Sequence, residues 1–348
     1  MKSSAQFGWI AGVLMLASLW SCDETFELNA PYEDIYAVYG ILDPQADTQF
    51  VRVSLGFQPE SDALEVASAY NGAVGDLEVL LTGNGQEIPG AFVENILKND
   101  NGDFGDSTGA YRFITEADEA LINGEVYTLE IRKPDDPDFF LSARTRIPEE
   151  PRIISPSRIA NQGEFCLPMV DVEDTVNVLI RKNDRYDNLT SHFEVRWLLR
   201  YEQEGQRFEL TSKPSRIFSQ NVRCSRAGSG NICYSTGNGT VLKDWQQAIP
   251  TEAEGLPVDV RCSQIPIELT RNAEIQVTAL DTILSRYILA NDPSFLNLNT
   301  IRREYTNVMG TARAVGIFGS IAYDNEPFLL TPCAEFTLGL SQQTATCN

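Results

Sequence analysis

Tyr127-Thr128-Leu129-Glu130-Ile131-Arg132-Lys133 runs into Pro134-Asp135-Asp136-Pro137 and returns as Leu141-Ser142-Ala143-Arg144-Thr145-Arg146-Ile147. Tyr127, Leu129 and Ile131 face one way, and Thr128, Glu130 and Arg132 the other. That period of two is the mark of a strand with one buried face. The turn holds two prolines, which cannot donate to a sheet, and two aspartates, which favour turns. Leu141, Ala143, Thr145 and Ile147 repeat the period on the way back. This is an antiparallel hairpin, and its apolar face demands a second layer.

Outward from the hairpin the same signals recur. Ile35 to Leu42 is a short apolar run ended by Asp43-Pro44. Val51, Val53, Leu55 and Phe57 alternate with Arg52 and Ser54. Leu77 to Thr82 leads into Gly83-Asn84-Gly85, a turn of hairpin type. Tyr111-Arg112-Phe113-Ile114 follows a polar loop. The spacing of Gly124, Tyr127 and Leu129 resembles the start of a strand in immunoglobulin- and transthyretin-like modules. Short strands separated by Gly, Pro and Asn turns predict a mostly β chain, with an immunoglobulin/transthyretin-like β-sandwich over 34–150.

Pro148-Glu149-Glu150-Pro151 and Pro156 mark a composition step, because residues 23–165 hold no cysteine. A larger β-rich, cysteine-bearing domain is expected over 151–348. Its clearest strands are Val176 to Ile180, His192 to Tyr201 and Glu274 to Thr278, with another suggested near Leu269. Leu280, Ile283, Leu284, Tyr287 and Ile288 follow helical spacing, with Asp281 as N-cap and Asn291-Asp292-Pro293 as the stop. One or two short helices are expected.

The first 21 residues read as an export signal. Lys2 precedes an apolar stretch from Phe7 to Trp20, shorter than the ~20 residues of a membrane span. Leu19, Ser21 and Cys22 resemble a lipobox, from which Trp20 departs. Cleavage before Cys22 leaves a lipidated thiol, and acyl chains contribute roughly 0.8 kcal/mol per buried CH₂. Asp23-Glu24 resemble the acidic signal that follows the lipid-bearing Cys in surface-exposed Bacteroidota lipoproteins. Residues 22–33 then form a lipidated tether, and the expected location is the outer membrane, facing the cell exterior.

Lipidation of Cys22 leaves six of the seven cysteines: Cys166, Cys224, Cys233, Cys262, Cys333 and Cys347. In an oxidising compartment six thiols allow about 15 pairings, which sequence does not choose among. Spacing favours Cys224–Cys233 across a turn-rich loop and Cys333–Cys347 in the tail, leaving Cys166–Cys262. No CxxC pair is present, so zinc is not expected.

The chain has 348 residues and a formal charge of −22, which repels phosphate backbones and argues against nucleic acid. Its one histidine, His192, removes the usual general base and metal ligand from most constellations. Alternation sets His192, Glu194, Arg196 and Arg200 on one face, opposite Phe193, Val195, Trp197, Leu199 and Tyr201. The histidine therefore reads as a solvent-facing residue among charges. Asn99, Asn101 and Asp103 have the alternate spacing of calcium ligands, but Phe104 stands where an EF-hand needs glycine and Ala110 where it needs glutamate. The stretch reads as a polar hairpin loop, with calcium as the alternative and no other cofactor beyond the lipid. Trp245 sits among polar neighbours and reads as core-edge packing, with a ligand-binding surface anchor as the alternative.

Pro31 to Ile35, Val38-Tyr39-Gly40-Ile41-Leu42-Asp43 and Val51-Arg52-Val53 resemble the opening of a Bacteroidota outer-membrane lipoprotein family of unknown function. The helix around Tyr287, Tyr305-Thr306-Asn307-Val308 and Gly316-Ile317-Phe318-Gly319 resemble its closing segment. The family pattern has a glycine pair between these last two motifs, whereas Met309 to Val315 is longer here and holds only Gly310. The resemblance implies a two-part β-rich lipoprotein accompanying a SusC-type TonB-dependent transporter, and carries over no catalytic residue. The expected role is non-catalytic binding or docking. The rivals are a histidine-independent glycan hydrolase using paired carboxylates and a structural envelope protein.

Overall fold

The computed structural model describes residues 33–56, 72–97, 107–116, 120–155, 175–181, 192–203, 206–212, 215–218, 231–237, 273–291 and 305–328. These residues are mostly β, as the alternation predicts, with one helix among them. The strands before the proline cluster are β1 (Tyr36–Leu42), β2 (Thr48–Leu55), β3 (Glu78–Gly83), β4 (Gln86–Pro89), β5 (Ala91–Leu97), β6 (Ser107–Ile114), β7 (Val126–Lys133) and β8 (Asp136–Arg146). After it come β9 (Arg152–Ser155), β10 (Thr175–Arg181), β11 (His192–Gln203), β12 (Gln206–Thr211), β13 (Ser215–Phe218), β14 (Asn231–Gly237) and β15 (Ala273–Leu280). Helix α1 (Thr282–Asn291), β16 (Met309–Gly310) and β17 (Ala314–Phe328) complete the described chain.

The Tyr127–Ile147 hairpin forms β7 and β8, paired Leu129 to Ala143 and Ile131 to Leu141. Its turn tightens to Pro134-Asp135. The Gly83-Asn84-Gly85 turn joins β3 to β4, and Asn84 and Gly85 both adopt positive φ, 51° and 75°. Two successive left-handed residues match the twist of the flanking strands, which is why Asn-Gly serves there. Ile122 N–H donates to the Tyr127 hydroxyl at 2.9 Å, fixing the approach to β7.

Three sheets result. The largest runs β12-β11-β15-β17-β1-β2-β6-β5, with β13 also beside β11. The second is β16-β8-β7-β3-β4 and the third β14-β10-β9. Val38, Leu42, Val51, Val53, Tyr111 and Phe113 of the first share one core with Val79, Leu81, Tyr127, Leu129, Ile131 and Leu141 of the second. Fully burying an aliphatic or aromatic side chain contributes about 1.5–3 kcal/mol, so this inter-sheet layer is a large stabilising contribution among the described residues.

That core also takes Val308 and Phe318, and β16 pairs with β8. The strand β17 lies between β15 and β1, pairing with β1 in parallel and β15 antiparallel. The strands on the two sides of Pro148–Pro151 therefore share a sheet and a core.

On β11, Phe193, Val195, Trp197 and Leu199 are buried, as the alternation predicts. Glu194 departs from its expected solvent-facing place and is only 6% exposed. Neighbouring strands flank β11 on both sides, and Arg196 reaches Glu194 at 3.1 Å. Along the same face Arg200 pairs with Glu209 at 2.9 Å and with the buried Glu274 at 2.8 Å. These ion pairs link charged side chains of β11, β12 and β15 along one face.

Candidate functional site

His192 opens β11, opposite Leu280 of β15 and Phe218 of β13. Cys233 lies in β14 opposite Leu179. Cys22, Asp23 and Glu24, the Asn99, Asn101 and Asp103 stretch, and Trp245 lie outside the described residues. So do Cys166, Cys224, Cys262, Cys333 and Cys347. Among the described residues, no group of three His, Cys, Asp or Glu side chains is placed to hold a metal ion.

The fold does bring together the two motifs from opposite ends of the chain. Val38, Tyr39, Gly40 and Ile41 of β1 pair in register with Gly316, Ile317, Phe318 and Gly319 of β17. Gly316 has φ +116°, and a Cβ there would lie 2.0 Å from the Val38 carbonyl oxygen. No other residue fits that approach. Asn307 completes the join where β15 no longer pairs with β17. Its carboxamide oxygen accepts from Phe318 N–H at 2.9 Å, and its nitrogen donates to Phe318 O at 2.8 Å and Arg144 O at 3.1 Å. One side chain thus does the work of a missing strand and ties β17 to β8. The longer Met309–Val315 segment has its own place: Met309 and Gly310 pair with Ser142 and Leu141, and Thr311 N–H donates to Phe140 O.

Beside this join lies a buried polar knot. Asp281 caps α1, accepting from Leu284 N–H at 2.6 Å, as the N-cap reading predicts. Its other oxygen meets the Thr145 hydroxyl of β8, which is 2.9 Å from the Ser320 hydroxyl of β17. Burial pushes the Asp281 carboxyl up to about 6, against the lowering effect of these hydrogen bonds. Near β9, burial also raises Asp324, whose carboxylate accepts from Ile153 N–H at 2.8 Å. Burial and then the charge of Asp324 raise Glu150.

Among the described residues, the outward face of the large sheet carries the most interface-like surface. Tyr39 and Ile41 of β1, Phe50 of β2 and Ile114 of β6 are 43, 46, 44 and 48% exposed. They point away from the core on neighbouring strands, where Tyr39 is opposite Arg52 and Phe50 opposite Arg112. Aromatics, aliphatics and arginine together are the composition enriched at protein interfaces. The sequence reading missed these four residues. Two signals for them were available: apolar residues at both phases of Ile35 to Leu42, and Phe50 out of phase with Val51 and Val53.

Neither a known protein family nor a curated protein sequence matches the chain.

Proposed function

We propose that this protein is a lipid-anchored accessory component of the outer membrane, held at Cys22 and exposed to the cell exterior. It works by docking beside a SusC-type TonB-dependent transporter, not by catalysis. The observation that carries the reading is the exposed face of Tyr39, Ile41, Phe50 and Ile114 on three adjacent strands. Contiguous apolar surface of this kind marks interaction sites on otherwise polar proteins. The outward positions of β1 and β2 hold Arg52 and no acid, in a chain of net charge −22. The fitting occupant is therefore an apolar transporter surface bordered by carboxylates.

The leader, the Ser21-Cys22 junction and Asp23-Glu24 support the anchor and its exposure. The likeness to Bacteroidota lipoproteins supports the partner class.

Co-purification from detergent-solubilised membranes tests the docking. The wild type should bring down a TonB-dependent transporter, and the double variant Ile41→Asp, Phe50→Asp should lose it. A wild type that captures no transporter, or a variant that still does, overturns the reading. For the anchor, Cys22→Ser should abolish palmitate labelling and move the protein out of the membrane fraction. Full protection from proteinase on intact cells would refute exposure at the surface.

A further inference from the structure

We infer that in mildly acidic solution the folded protein holds the Asp281 carboxyl as the neutral acid, heading a chain of hydrogen bonds that fastens α1 to both sheets, so that losing this proton as pH rises loosens the helix. The available hydrogens fix where the proton sits. Asp281 Oδ2 meets Thr145 Oγ1, Thr145 Oγ1 meets Ser320 Oγ at 2.9 Å, and Ser320 Oγ meets Arg146 O at 2.9 Å. Three oxygen–oxygen contacts need three hydrogens. Thr145 and Ser320 bring one each, and the Arg146 carbonyl brings none. The third hydrogen must sit on Asp281. Without it, two buried oxygens face each other at hydrogen-bond distance with nothing between them, which costs free energy wherever water is excluded. Thr145, Asp281 and Ser320 are 2, 4 and 0% exposed.

With the proton in place every contact is satisfied. Asp281 donates to Thr145, Thr145 to Ser320, and Ser320 to Arg146 O, while Asp281 Oδ1 still accepts from Leu284 N–H. The charged groups around the knot are turned elsewhere. On β8 the Arg146 guanidinium donates to Gly124 O at 2.9 Å. On β17 Asp324 accepts from Ile153 N–H, and on α1 Arg286 is exposed. From β15, Thr278 and Leu280 bring no charge. The Thr145 hydroxyl and the backbone N–H groups of Leu284, Ser320 and Ile283 favour the anion, yet burial outweighs them and raises the carboxyl.

The sign follows from linkage. A carboxyl raised in the folded state binds its proton more tightly there than in the unfolded chain. Its contribution to stability is therefore lost as pH rises from 3.8 to about 6, and stays lost above that. Ile317 and Gly319, which α1 covers, pair with Tyr39 and Ile41. A loosened helix thus uncovers apolar surface next to the exposed face, whether or not that face is a docking site.

Asp281→Asn in the full chain tests this, since a carboxamide donates to Thr145 and accepts from Leu284 N–H like the neutral acid. Between about pH 4.5 and pH 8 the wild-type unfolding midpoint should fall relative to the variant by roughly 4 °C. Protection of the α1 amides, corrected for the intrinsic rise of exchange with pH, should fall in the wild type alone. In the wild-type-minus-variant infrared difference, a protonated-carboxyl band should titrate near the same pH. If the variant does not fold, Thr145→Val keeps the test open, because removing the hydroxyl should shift that band. A midpoint gap that is constant with pH, or a wild type with no such band, overturns the inference.

Discussion

The large sheet presents similar outward surface in two neighbouring places and treats them differently. On β17, Ile317 and the half-buried Ile321 pack with Leu280 of the neighbouring β15 and with Leu284 and its neighbours on α1. One strand further on, Tyr39 and Ile41 stand almost half exposed, and Phe50 and Ile114 continue the face across β2 and β6. The side chains are of the same kind. The difference is that one stretch has its covering helix and the other offers itself to solvent. That open apolar face is the surface on which the docking proposal rests.

The largest effect is expected from removing the join that sets the two stretches side by side. Gly316→Val forces a branched side chain into a left-handed position against the Val38 carbonyl and should cost about 4 kcal/mol or more, abolishing cooperative unfolding. A milder loss is expected under the helix. Leu284→Ala empties the contact over Ile317 and should lower stability by about 2–4 kcal/mol in chemical denaturation. Asn307→Ala strips Phe318 and Arg144 of their partner and should cost about 2 kcal/mol by the same measurement. At the open face, Phe50→Ala should leave stability within about 0.5 kcal/mol while weakening transporter capture about tenfold or more. Equal losses of stability for Leu284→Ala and Phe50→Ala would erase the distinction between the covered and open stretches. The smallest effect concerns pH. Burial raises Asp324, so its contribution also declines as pH rises through its titration, and Asp324→Asn should flatten that slope slightly.

Much of this fold was legible residue by residue. The β7–β8 hairpin, the Asn84-Gly85 turn and the Asp281 cap each depend on neighbours within a few positions, where period and turn chemistry speak directly. The burial of Glu194 was not legible. Alternation assigns it to a face, but its exposure depends on Arg196 and on the strands that β11 acquires on either side. The partnership of Thr145 with Ser320 and Asp281 was equally silent, because three polar residues on three distant segments carry no local signal. The open face escaped for a related reason: Ile35 to Leu42 reads as apolar at both phases until a second layer chooses which phase to bury.

That this chain is mostly β, where its hairpins turn and where its helix starts are written in local sequence, because a period of two, a pair of left-handed turn residues and a capping aspartate act at short range. Only the tertiary structure decided that β1 and β17 lie side by side, that Asn307 stands in for a strand, and which apolar stretch stays open. Parallel pairing between the two ends of a chain leaves no mark on either end, since its hydrogen bonds form only once the intervening residues have folded around them.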